Sequence, residues 1–193
     1  MNSKLIIFAG PSGAGKTTIV KHVMRKFPEL TFSVSATTRN KREGEIDGKD
    51  YYFLTPDDFK RKINHNEFLE WEEVYKDSFY GTLKSEVERI LAAGRSVVFD
   101  VDVMGAMSIK NAFGSRARSF LVKTPSLKIL KQRLSSRMTE TKETLKTRIA
   151  KAEKELSYEG RFDVVIVNDI LSYAQEQAER AVEEFLAGKP ERV

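Results

Sequence analysis

The chain has 193 residues, 40% hydrophobic and 32% charged, with a formal net charge of +5. That length supports one sizeable core with room for inserted lobes. The chain has no cysteine, which excludes a disulfide framework and a thiolate metal site and points to a reducing compartment, the cytoplasm.

The first apolar run, Leu5–Ala9, is too short for a leader, and no run approaches the ~18 residues of a membrane span. Lys and Arg are interspersed with Asp and Glu, and no aromatic-basic module stands out, so nucleic acid is not expected as a partner. His22 and His65 are far apart and read as surface or packing residues.

Leu5–Ala9 reads as a strand buried on both faces. It runs into Gly10, Pro11, Ser12, Gly13, Ala14, Gly15, Lys16, Thr17 and Thr18, a match to the phosphate-binding pattern G-x-x-x-x-G-K-[ST]. Ile19, Val20, Val23, Met24 and Phe27 then recur at helical spacing until Pro28. Glycines let bare backbone wrap a polyphosphate, and the helix adds its positive N-terminal end. Lys16 supplies charge to the β- and γ-phosphates, and Thr17 a hydroxyl ligand for Mg²⁺.

Thr31–Val34 predicts a short strand, after which residues 35–45 are polar and basic without apolar periodicity. Asp50–Leu54 reads as strand, Thr55 as the cap of a short helix with Pro56 at its first position, and Phe68–Tyr75 as another strand. Residues 35–84 are thus expected to form a lobe inserted into an α/β core. Val87, Ile90 and Leu91 mark a helix ending at Gly94. Ser96–Asp100 is a strand ending in a carboxylate, the Walker B arrangement, which places Asp100 beside the phosphate loop to hold Mg²⁺ or its waters.

Ser119–Val122 is a further strand, and Ser126 caps a helix carrying Leu127, Leu130 and Leu134. After a break comes a long helix with Leu145, Ile149, Ala152 and Leu156 on one face. Val164–Val167 is the last strand, and a final helix ends at Gly188. Alternating strands and helices imply a parallel doubly wound α/β sheet. The segments 35–84 and 126–157 stand outside it and, sparse in apolar residues, are expected to be loosely held.

A phosphate loop does not name the acceptor. Water would make the protein a GTPase or ATPase, and a small molecule would make it a kinase. The basic, hydroxyl-rich stretch Ser35–Arg42, with Arg39 and Arg42 three apart, reads as a second phosphate site. Arg133, Arg137 and Arg148 lie in the charged segment, where arginines on a closing lid can stabilise a transferring phosphoryl and exclude water. The guanine-reading N-K-x-D signature of GTPases is absent. These features favour a kinase.

Several further pieces occur in order. They are Ser33–Arg39 with Arg42, Gly44 and Glu45; Gly48–Phe53; Glu67–Trp71; Tyr80–Thr82; Asp100–Asp102; Arg133 with Arg137; and Val165–Asp169. With the phosphate loop, they make the chain resemble the guanylate kinase family of P-loop nucleoside monophosphate kinases over nearly its whole length.

The resemblance implies a kinase domain over residues 3–187. Its core would be 1–34, 85–125 and 158–193, with 35–84 a GMP-binding lobe and 126–157 a helical lid. It implies transfer of the γ-phosphoryl of ATP to GMP with Mg²⁺, in a monomer or homodimer without membrane or nucleic-acid partners. Ser35, Arg39, Arg42, Tyr51 and Tyr80 match the residues that hold the GMP phosphate. Glu70, Thr82 and Asp102 match those that read guanine. Lys16, Arg39, Arg133, Arg137 and Arg148 match the catalytic cations, and Asn168 lies beside the adenine.

Two departures stand out: Met104 replaces a common Gln, and the stretch 74–79 is one residue longer than usual. The rival from another class is a catalytically inactive guanylate-kinase-like module that binds phosphorylated protein partners. Intact Lys16, Thr17 and Asp100 weigh against it.

Overall fold

The computed structural model describes residues 3–75, 77–136 and 142–188. The chain divides into two compact units. One holds Glu29–Val97, the other Lys4–Pro28 with the chain from Val98 onward.

In the second unit, β1 (Leu5–Ala9) is wholly buried, as its unbroken apolar run requires, and is followed by α1 (Lys16–Lys26). β7 (Ser96–Asp100), whose last three residues lie in this unit, leads to α4 (Val103–Phe113). Next come β8 (Ala117–Lys123), α5 (Leu127–Ser135), α6 (Lys142–Leu156), β9 (Val164–Val167) and α7 (Leu171–Leu186). β1 pairs parallel with β8, and β8 with β9. Phe8 stacks on Phe120 at 4.9 Å between ring centres. Together with β2 (Leu30–Phe32) these strands form a parallel five-stranded sheet in the order β2-β7-β1-β8-β9.

From β1 the chain runs to β2 at the sheet edge, returns to β7 beside β1, and then crosses to β8 and β9 on the other side. The carboxyl end of β1 is therefore a topological switch point, where open α/β sheets bind ligands. Ser126 caps α5 by accepting from Ile129 N–H at 3.3 Å. Leu130, Leu134 and Ala152 bury against Leu127, Leu145 and Ile149, so the apolar stripes of α5 and α6 face each other.

The first unit carries a four-stranded sheet in the order β4-β3-β6-β5, built from β3 (Ala36–Thr37), β4 (Tyr52–Phe53), β5 (Phe68–Tyr75) and β6 (Ser78–Leu83). α2 (Pro56–Asn64) begins at Thr55, whose hydroxyl accepts from Asp58 N–H at 3.1 Å, and α3 (Lys84–Ala92) follows β6 directly.

The expected sparseness of this segment is corrected by its core. Phe59 stacks on Phe68 at 4.3 Å and on Phe79 at 5.3 Å, with Ala36 and Leu83 closing the cluster. Three aromatic rings bury enough area to make a core from few residues. The β5–β6 pairing carries register shifts at Phe68/Glu70 and Glu73/Tyr75, leaving Leu69 and Val74 without a residue opposite. The second bulge lies in the stretch 74–79, which reads as one residue longer than usual.

Candidate active site

The phosphate loop joins the end of β1 to α1. Gly10 and Gly15 hold φ of 138° and 93°, backbone that side-chain-bearing residues rarely adopt. The loop is also tightly backed. A Cβ on Gly10 would overlap the Val122 carbonyl oxygen, and one on Gly15 would overlap the Asn168 side-chain amide. Asn168, buried at 4% exposure, donates from Nδ2 to the Ala14 carbonyl at 2.7 Å. Its own carbonyl accepts from the Arg133 guanidinium at 2.9 Å.

Ser12, Gly13, Gly15, Lys16, Thr17 and Thr18 line an open hollow. Gly15 caps α1 without a side-chain hydrogen bond, and the first turn holds no acidic residue, so unpaired helix N–H groups and the positive dipole end meet the hollow. Lys16 Nζ donates to the Gly10 carbonyl at 2.7 Å, which lays the ammonium along the loop. Thr17 Oγ1 donates to Asp100 Oδ2 at 2.9 Å, joining the helix start to the end of β7.

That hydroxyl and carboxylate are two hard oxygen donors side by side. No group of three or more His, Cys, Asp or Glu suited to a metal occurs among the described residues. The pair fits Mg²⁺, which keeps several waters and takes one or two protein oxygens beside substrate phosphates. Among the remaining candidates of this unit, Asp102 caps α4 by accepting from Gly105 N–H at 2.7 Å. Arg148 is half-buried on α6. Arg137 lies outside the described residues.

In the first unit Arg39, Tyr51 and Tyr80 come together. The Arg39 guanidinium lies 4.8 Å over the Tyr51 ring, which meets Tyr80 edge-on at 6.0 Å. The guanidinium is also clamped by Glu45, with Nη1–Oε2 at 2.7 Å and Nη2–Oε1 at 2.5 Å. Arg42 contributes its backbone N–H to Glu45 at 2.8 Å, while its side chain is exposed. The Arg39 hydrogen bonds, then the Arg42 N–H, hold the Glu45 carboxyl down to about 2, and the Glu45 carboxylate raises Arg39 in turn.

Sequence reasoning assigned Glu45 no role, although an acid six residues past an arginine within a turn-rich segment was a signal for this clamp. Ser35 enters through its backbone, its carbonyl accepting from Tyr52 N–H at 2.9 Å. Glu70 and Thr82 sit opposite each other on β5 and β6, and the buried Thr82 hydroxyl donates to Glu70 Oε1 at 2.5 Å. Met104, the second residue of α4, is exposed.

Comparison with known proteins adds the family. The sequence model described as guanylate kinase matches residues 2–185. The chain belongs to the guanylate kinase family. It is 50% identical to a guanylate kinase of Bacteroides fragilis over 184 residues, covering 95% of this chain and 90% of that protein. It is 49% identical to one of Porphyromonas gingivalis over 186 residues, covering 96% and 99%. A crystal structure of guanylate kinase from Anaplasma phagocytophilum superposes with a TM-score of 0.72 at 26% identity, covering 98% of this chain and 87% of that one. Guanylate kinases thus share sequence and fold with nearly the whole of this chain.

Proposed function

We propose that this protein is an ATP-dependent nucleoside monophosphate kinase that transfers the γ-phosphoryl group of ATP to GMP, giving ADP and GDP. The observation that carries the reading is the Thr17–Asp100 bond at 2.9 Å beside Lys16. It joins phosphate loop and strand-end carboxylate into one site for a nucleoside triphosphate. The Lys16 ammonium neutralises charge on the β- and γ-phosphates, while the loop amides and the start of α1 hold the phosphate oxygens. Arg133, fixed by the Asn168 carbonyl, and Arg148 add positive charge for the transferring phosphoryl.

Thr17 and Asp100 are the residues that would hold Mg²⁺, in part through water, and the ion would supply charge neutralisation between the β- and γ-phosphates. The acceptor is assigned to the first unit. Arg39, kept in one orientation by Glu45 and Tyr51, takes the GMP phosphate with Arg42, Ser35, Tyr51 and Tyr80. Glu70 and Thr82 read the base. A phosphate oxygen of GMP attacks directly, so no covalent enzyme intermediate is needed, and the protein contributes positioning and charge. The cysteine-free composition suits a cytoplasmic setting.

A coupled assay of ADP formation with ATP and a panel of nucleoside monophosphates tests the reading. Turnover with GMP well above AMP, CMP and UMP is expected. ATP-dependent turnover with none of them would overturn it.

A further inference from the structure

Glu86, in the first turn of α3, is 3% exposed and belongs to none of the site residues assigned above. An ionised carboxylate only accepts hydrogen bonds, and this one accepts from three places in the chain. Oε1 takes Val34 N–H at 3.3 Å and an Arg89 guanidinium nitrogen at 3.0 Å. Oε2 takes the Tyr52 hydroxyl at 3.0 Å and Arg89 Nε at 2.9 Å. Burial pushes this carboxyl up, but Arg89, Tyr52 and Val34 outweigh it and hold the group below the ordinary carboxylate range. The charge is therefore present at neutral pH, and Arg89 balances it.

The residues that Glu86 holds are the chain neighbours of two phosphate-site residues: Val34 precedes Ser35, and Tyr52 follows Tyr51. Successive side chains of a strand point to opposite faces. Tyr52 reaches the Glu86 carboxylate, while the Tyr51 ring meets Arg39 and Tyr80. Tyr52 N–H also donates to the Ser35 carbonyl at 2.9 Å, so the two segments are already tied by backbone. Leu54 N–H donates to the Thr37 carbonyl, also at 2.9 Å, so this pairing sets the two backbones side by side from Ser35 onward. The Glu86 carboxylate adds an anchor just ahead of that pairing, at Val34 N–H, and another on the Tyr52 side chain, which fixes the leading end of the first segment and the face that Tyr51 presents.

We propose that Glu86 is a positioning residue for the acceptor's phosphate. By holding Val34 and Tyr52 at once, it sets where Ser35 and Tyr51 stand in the pocket. The proposal rests on the assignment of Ser35, Arg39 and Tyr51 to the GMP phosphate.

The test uses the full chain and the variants Glu86→Gln, Tyr52→Phe, their double mutant, and Arg39→Lys as a control on the pocket itself. KM and kcat are measured with GMP and ATP varied separately, and affinities for GMP and guanosine by calorimetry. For Glu86→Gln, KM for GMP should rise roughly tenfold, about one lost hydrogen bond, with kcat and KM for ATP within about twofold. Guanosine affinity should be unchanged, because the effect runs through the phosphate. Tyr52→Phe should have a similar effect, and the double mutant should fall short of the product of the two, since both act through one contact.

An unchanged KM for GMP in Glu86→Gln, alongside a weakened Arg39→Lys, would overturn the proposal and leave the pocket standing. Equal losses for GMP, guanosine and ATP would also overturn it, because they report general loosening. Unaltered GMP binding in Arg39→Lys would remove the pocket assignment and this proposal with it. Should Glu86→Gln fail to fold, Tyr52→Phe alone decides between the same outcomes.

Discussion

Glu70→Gln is the perturbation that bears most directly on the choice of base. Glu70 stands opposite Thr82 across the β5–β6 pair, and one carboxylate oxygen already takes the buried Thr82 hydroxyl at 2.5 Å. Guanine presents N1–H and N2–H₂ as adjacent donors, and an ionised carboxylate suits both. Adenine presents a lone pair at N1 and no donor at C2.

Gln converts one acceptor into an NH₂ donor. If its oxygen stays on Thr82, the NH₂ faces the guanine donors. If the amide turns over, Thr82 must accept instead, and one guanine donor still lacks its charged partner. Either way a buried donor is mispaired and the charge assistance is lost, about 2–4 kcal/mol together. That is a fall of roughly 30- to 1000-fold in kcat/KM for GMP, with little change in KM for ATP.

Thr82→Val removes only the hydroxyl that holds the carboxylate and should cost roughly tenfold. The assay is kcat/KM for GMP, dGMP, IMP and AMP on wild type and both variants. A site built around two donors should prefer GMP to AMP by ~10⁴-fold or more. Comparable wild-type efficiency with AMP, or an undiminished GMP reaction in Glu70→Gln, would refute the reasoning while leaving the phosphate-loop chemistry intact.

Four further outcomes are expected. Lys16→Met should lower kcat by roughly 10²-fold or more while the melting temperature stays within a few degrees, and near-native turnover would remove Lys16 from the donor site. Gly10→Ala should abolish ATP binding, because its methyl group meets the Val122 backbone oxygen at a φ of 138°; retained affinity by calorimetry would contradict this. Asp163 accepts from Lys110 Nζ and Ser119 N–H, both at 2.7 Å, and from the Ser119 hydroxyl at 2.8 Å. Burial pushes its carboxyl up, but these partners outweigh it and hold the group below the ordinary range. A depressed acid stabilises above the unfolded carboxylate's titration and loses that contribution as pH falls through its lower folded value. Asp163→Asn should therefore cost about 2 kcal/mol at neutral pH and progressively less below about pH 4; an equal cost at pH 7 and pH 3 by urea titration would exclude the linkage. With the donor and acceptor sites assigned to separate units, a ligand joining both substrates should slow hydrogen exchange in the phosphate loop and in residues 35–84, and no new protection in one of the two would refute that assignment.

Wherever the determinants are local, the sequence was enough. The buried run Leu5–Ala9, the glycines after it and the apolar spacing to Phe27 specify β1, the phosphate loop and α1, because burial, backbone freedom and helical period all act within a few residues. Thr55 and Ser126 were likewise legible as caps, since a cap bonds a backbone N–H only three residues ahead. α4 was not anticipated. Val103, Ala106 and Ile109 are buried and Met104 is exposed, and its mostly apolar sequence offered little polar contrast to mark a helical face.

Tertiary structure alone decided the rest. β3 is two residues long, and a strand so short exists only through its partners β4 and β6. The meeting of Glu70 with Thr82 depends on a bulge at Leu69, and a pairing shifted by one residue would have turned one of them to the opposite face. The hold of Glu86 on Val34 and Tyr52 joins residues 52 and 34 positions apart, beyond the reach of any local period. Such contacts form only after the chain has folded back on itself, when burial makes each unpaired polar group costly enough to select its partner.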